Sequence, residues 1–252
     1  HIKCDTNTKV LTFLHGGVNN PIFSDTAKFF DLDYLLEGNT DFVSASLKNG
    51  FDLIIPITND SMNWLTNHNY CHDLITAYSK SVKPYSTNYI TGFSDGGTGS
   101  FKIFYTQPDD YDGLLIFNGF PQQSNFHRTV NYDSIRNKPI IFAGTFKDKR
   151  IDYGFLLTEY DHQKVSNPNT YLYVRDGGHT FGAYDNTDFS EFFDIINGRT
   201  NCVKTEPIHG FMKEDQLIEF YPFRKKIWKK YLYSYKDIYL RNQEQSKLYS
   251  KK

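Results

Sequence analysis

Six short apolar runs recur along the chain, at residues 10–14, 51–57, 89–93, 113–117, 139–142 and 171–174, each rich in β-branched or aromatic residues and closed by Gly, Pro or Asn. Their hydrophobicity is continuous rather than alternating, which marks strands covered on both faces. Segments of helical character lie between them, at 68–81, 99–106, 151–160 and 188–196, the last with Thr187 as a candidate N-cap. Strand and helix in alternation predict a doubly wound, mostly parallel sheet with helices on both faces, because a parallel neighbour needs a crossover and crossovers cover the sheet. A chain of 252 residues suits one such domain. Ligands of such sheets bind at the carboxyl ends of the strands.

The motifs fall at those ends. After the third run comes Gly92-Phe93-Ser94-Asp95-Gly96-Gly97, followed by a helix-compatible stretch. A serine hydroxyl is a weak nucleophile that must stand clear of the sheet and have a base beside it. A sharp strand-to-helix turn provides the clearance, and it demands small residues two positions to either side, here Gly92 and Gly96. The bland alternative is a turn whose serine merely caps the next helix.

After the first run comes Leu14-His15-Gly16-Gly17-Val18. A tetrahedral acyl intermediate carries a negative oxygen that needs backbone N–H groups aimed at it. One is expected from Asp95, the residue after the nucleophile, and one from Gly17 or Val18. His15 is expected to shape this loop. The candidate base is His179, in Asp176-Gly177-Gly178-His179-Thr180-Phe181, because it follows the last predicted strand and precedes a helix. The acid that orients it is expected to be Asp148, just after the fifth run, with Asp152 as main rival and Asp176 and Asp185 behind. Ser94, Asp148, His179 is the order in which a nucleophile-elbow hydrolase carries its triad.

Taken together, the His-Gly-Gly loop, the Gly-Phe-Ser-Asp-Gly-Gly elbow, the Asp148-Lys149-Arg150-Ile151 stretch and the Gly-Gly-His-Thr-Phe loop resemble the α/β-hydrolase superfamily from about residue 8 to about residue 200. The doubled glycine and the acid followed by Arg150 resemble the prolyl oligopeptidase and related esterase branch; the His loop resembles feruloyl esterases and polyhydroxybutyrate depolymerases. The resemblance implies a serine hydrolase cleaving an ester, with no metal or organic cofactor. A serine peptidase and a non-catalytic binding protein on the same fold are the alternatives. The chain begins at His1, as a trimmed or processed protein would, and close to its first motif strand, so the leading antiparallel strands usual in the superfamily are expected to be missing or shortened. The spacing between the triad positions is too short for a large lid. An open cleft is expected, with Val18, Trp64, Asn118, Phe120 and Phe126 against the substrate.

Charge divides the chain. Residues 224–252 hold ten Lys or Arg against two acids, +8, so the rest of a chain of net charge −1 carries −9. Within that tail Ile227, Tyr231, Tyr235 and Ile238 recur at helical spacing. The expected organisation is a hydrolase domain over 1–223 and a basic helical extension over 224–252 packed on it. Contact of the extension with an anionic membrane or polymer is the less favoured reading. No apolar run is long enough to span a bilayer, so a soluble chain is expected, cytoplasmic or secreted. Nothing suggests a nucleic-acid partner. Cys4, Cys71 and Cys202 lack metal-ligand spacing and are expected to be ordinary thiols with one disulfide at most.

Overall fold

The computed structural model describes residues 1–18, 31–58, 62–119, 132–151, 153–199, 205–206 and 209–211. Its elements in chain order are β1 (Lys9–Leu14), α1 (Leu32–Leu35), α2 (Asp41–Lys48), β2 (Phe51–Ile54), α3 (His68–Val82), β3 (Thr87–Phe93), α4 (Asp95–Thr106), β4 (Gly113–Phe117), α5 (Tyr132–Ile135), β5 (Ile140–Thr145), α6 (Tyr153–Ser166), β6 (Thr170–Arg175), α7 (Asn186–Ile196), β7 (Thr205–Glu206) and β8 (His209–Phe211). They form one sheet of order β2-β1-β3-β4-β5-β6-β8-β7. Its first six strands are parallel, while β8 runs antiparallel to β6 and to β7.

Each apolar run of the sequence is a strand, and each is buried on both sides. In β4, Leu114 and Ile116 join the core layer formed with α3, α4 and α6, whereas Leu115 and Phe117 join the layer formed with α2 and α7. The second layer is strongly aromatic, drawing together Phe13, Phe42, Phe117, Phe189, Phe192 and Phe193. With only two Met in the chain, rings do the gap filling, and they meet edge to face, as their quadrupoles favour.

Several boundaries move. β2 stops at Ile54 rather than 57, ahead of Pro56, whose missing N–H cannot serve a ladder. α4 starts at Asp95, directly after the elbow, not at 99. The N-cap of α7 is Asp185, not Thr187: its carboxylate accepts the Thr187 and Asp188 amides while Asp188 reaches back to the Asp185 N–H, a reciprocal box. Strands β7 and β8 are too short to leave a pattern in sequence. Ahead of β1, Ile2 makes an isolated antiparallel bridge to Leu53. Cys4 and Cys71 are free thiols, and Cys202 lies outside the described residues, as does the extension over 224–252. Among the described residues no helix is long and apolar enough to cross a membrane.

Candidate active site

Between β3 and α4 the backbone turns at Ser94 with φ 56° and ψ −119°, a conformation that costs a non-glycine residue about 1–3 kcal/mol and persists only where its surroundings impose it. Those surroundings are backbone. A Cβ on Gly96 would lie 1.8 Å from the Leu14 carbonyl oxygen, and one on Gly92 would lie 2.5 Å from Gly96. The two glycines thus let α4 sit directly on the ends of β1 and β3. The Ser94 N–H donates to the Phe117 carbonyl at 3.0 Å, tying the turn to β4. The side chain is half-buried and faces a cleft of about 530 Å³, within the size range of small-molecule sites.

His179 reaches Ser94 from the loop after β6. Its Nε2 lies 2.9 Å from Ser94 Oγ, and its Nδ1 lies 2.7 Å from Asp148 Oδ2. Phe93, beside the serine, packs its ring 5.0 Å from the imidazole. Two residues on, Phe181 is fully buried in the aromatic layer, 5.0 Å from Phe117 and 5.2 Å from Phe13, and so fixes the loop that carries the histidine. Asp148 has every acceptor position in use. Oδ1 takes the Arg150 and Ile151 amides at 2.8 and 2.9 Å, and Oδ2 takes His179 and the Asn118 amide nitrogen. Burial pushes its carboxyl up, but the bonds from His179, Ile151 and Asn118 outweigh it and hold the group below the usual carboxylate range. Of the rival acids, Asp176 pairs with Lys147 and Asp185 caps α7, while Asp152 lies outside the described residues. A remote His179 or a buried Ser94, the geometry of a non-catalytic protein, is not what is seen.

On the other side of Ser94 lies the loop after β1. Gly16 packs against the Ser94 side chain, and Gly17 adopts φ 69°, a left-handed conformation that glycine takes without strain. His15 is 1% exposed; its Nδ1 contacts the Gly16 carbonyl oxygen at 2.8 Å, its ring lies edge-on to Trp64 at 4.8 Å, and burial pushes it down to about 4. It is a neutral strut for the loop. The Val18 amide donates to Asp95 Oδ2 at 3.1 Å, and the Gly17 amide is near enough to the same carboxylate to favour its ionised form. Burial pushes that carboxyl up, offset in part by the two amides and by His179 and Arg150.

Three expected substrate contacts are corrected. Trp64 is 1% exposed and fills the space left by Gly99, where a Cβ would lie 2.3 Å from its indole. The Val18 side chain is in the same core layer, so neither side chain lines the cleft. Asn118, also 1% exposed, has its side-chain amide turned inward to Asp148 at 2.8 Å and Thr145 at 2.7 Å, while its carbonyl accepts the Tyr184 hydroxyl at 2.6 Å. It holds the acid instead of a ligand. Phe120 and Phe126 lie outside the described residues.

The wall that sequence reading missed comes from the segment around α1. Asp33, Tyr34 and Glu37 line the cleft together with Arg150 and Ile151. Glu37 accepts the Phe181 N–H at 3.1 Å and Asn39 donates to the Phe181 and Tyr184 carbonyls, so this wall is bolted to the histidine loop. No motif marks it; its residues meet the site only through the fold. Among the described residues no three His, Cys, Asp or Glu side chains converge in a way that could hold a metal ion.

No protein-family model matches the sequence, and no curated protein matches it. Solved structures do match its fold. The Pyrococcus furiosus esterase Pf2001 superposes with a TM-score of 0.57 at 13% identity, over 76% of this chain and 83% of that one. Est1E from Butyrivibrio proteoclasticus, also seen with ferulic acid bound, gives 0.53 at 13% identity over 78% and 98%. SOBER1 from Arabidopsis thaliana gives 0.53 at 13% identity over 77% and 99%. The chain has the α/β-hydrolase fold. Nothing in these three singles out the prolyl oligopeptidase branch.

Proposed function

We propose that the chain is a serine esterase working through an acyl-enzyme. The observation that carries this reading is the continuous hydrogen-bonded line from Ser94 Oγ through His179 to Asp148, open to a cleft at the carboxyl edge of the sheet. Ser94 Oγ attacks the acyl carbon as His179 Nε2 takes its proton; the carbonyl π electrons move to oxygen, which the Asp95 and Gly17 amides receive. The amide of Asp95 suits this role because it opens α4, where no intrahelical carbonyl awaits it. Collapse expels the alcohol, protonated by His179, and water repeats the sequence to free the acid and restore Ser94. Asp148 keeps the Nδ1 proton in place and balances the imidazolium, without taking the proton itself.

Support for an ester rather than another acyl group comes from two of the fold neighbours, the esterase Pf2001 and Est1E, which is seen with ferulic acid bound. A short p-nitrophenyl ester and its matching anilide test the choice directly: the ester is turned over and the anilide is far slower. Ser94→Ala abolishes both ester hydrolysis and labelling by a fluorophosphonate. Labelling that survives the substitution refutes the assignment of the nucleophile.

A further inference from the structure

The oxyanion loop and the first residue of α4 meet through a charge. Asp95 Oδ2 accepts the Val18 N–H at 3.1 Å, and the Gly17 N–H is near enough to the same carboxylate to favour its ionised form. These amides lie beside the nucleophile: Gly16 rests on the Ser94 Cβ, and Gly17, Asp95, Ser94 and His179 line one cleft. To a pair of backbone amides a carboxylate and a tetrahedral oxyanion are the same kind of acceptor. One is resident and the other is transient. While the resident is ionised it satisfies the donors, and its charge opposes a second negative oxygen in the same half-buried space.

We propose that the Asp95 side chain is a resident anion on the oxyanion loop, a positioning residue that keeps the Gly17 and Val18 amides turned from the substrate oxygen when ionised and releases them when neutral. This rests on the reading of Ser94 as nucleophile. The Asp95 backbone amide points along α4 whatever the state of its own side chain, so the side chain governs the loop donors alone. Burial works in the same direction, since it disfavours the ionised form of Asp95. The charged and titratable groups around it are His179 from the β6 loop, Arg150 after β5, Asp33 in α1 and Glu37 just after it, and the neutral His15 at the root of the loop. Turnover is then favoured by an uncharged Asp95, so the rate declines as rising pH ionises it.

Asp95→Asn separates charge from shape, because its amide oxygen still faces the loop N–H groups. For a neutral p-nitrophenyl ester followed from about pH 5 to about pH 9, kcat of the variant rises by about tenfold or more at the alkaline end, KM stays within about twofold, and the alkaline decline disappears. Fluorophosphonate labelling of Ser94 accelerates in parallel, because its phosphoryl oxygen takes the place of the oxyanion. A second measurement needs no turnover. In wild-type protein labelled with ¹⁵N at Gly and Val, the Gly17 and Val18 amide protons titrate together, and in Asp95→Asn they do not. An Asn variant that is labelled normally at Ser94 yet shows equal or lower kcat, or wild-type amides that fail to titrate, overturns the proposal while leaving the nucleophile standing. A wild-type Ser94 that is never labelled removes the nucleophile, and this inference with it.

Discussion

The two halves of the site are held by different physics. On the acid–histidine side every polar atom is spoken for: Asp148 accepts four bonds, Asn118 is gripped by Thr145 and Tyr184, and Phe181 anchors the loop in the aromatic layer. On the oxyanion side a glycine loop stands on a neutral buried imidazole and leans on a single carboxylate. The first half is overdetermined, so it keeps the imidazole in one orientation through the reaction. The second has one adjustable contact, at the place where the proposed mechanism makes charge appear and vanish. Preorganisation is strongest where a group must stay still and weakest where a donor must change partners.

The difference can be attacked from its rigid half first. Asp148→Asn presents an NH₂ group to His179 Nδ1 and forces the wrong tautomer, so kcat falls on the order of 10⁴-fold while thermal unfolding shows a folded protein. Steady-state kinetics beside calorimetry measure both. Phe181→Ala empties a fully buried site among the rings and lowers stability by about 3–5 kcal/mol in urea titration. If the aromatic layer anchors the histidine, kcat drops as well in the protein that remains folded; unchanged kcat would mean that the hydrogen bonds alone hold the loop.

Acid distinguishes the halves by pH. His15 has its folded value near 4 against an ordinary 6.5, so between those values the unfolded chain binds a proton that the folded chain refuses. Stability therefore falls as pH drops through that window, by on the order of 3 kcal/mol when the window has been crossed. The Asp148 carboxyl is displaced below its ordinary 3.8, so its contribution is intact above that value and is lost only as pH falls through the lowered one. Urea midpoints followed through this range show the oxyanion half weakening first, and His15→Asn removes that early slope. The smallest effect is expected from Asn118→Ala, which strips one of four bonds from Asp148 and leaves the Tyr184 hydroxyl unpaired: about 1–3 kcal/mol of stability and about a tenfold loss of kcat. A larger kinetic loss than that of Asp148→Asn would contradict the ranking.

Much of this was legible from residues alone, and the legible parts share a cause. Continuous apolar runs report burial on both faces because each strand's neighbours are themselves strands, and all six runs are strands of the sheet. The glycines around Ser94 report a close approach of backbone to backbone that any residue with a Cβ would block. Both are constraints along a few consecutive positions, so they leave a pattern that can be read in order. Trp64 and Asn118 mislead for the same reason: an aromatic ring or an amide in a loop near the strand ends carries no mark of whether it turns to solvent, to ligand or inward. The wall around α1, the inward Asn118 and the pairing of the Val18 amide with Asp95 join positions from 27 to 145 residues apart, counted from Asn118 to Thr145 and from Asn39 to Tyr184. The sequence by itself determined the sheet, the turn at Ser94 and the chain order of the three residues that meet there. The tertiary structure alone decided what holds each of them, because that depends on which distant side chains compete for the same few buried hydrogen bonds.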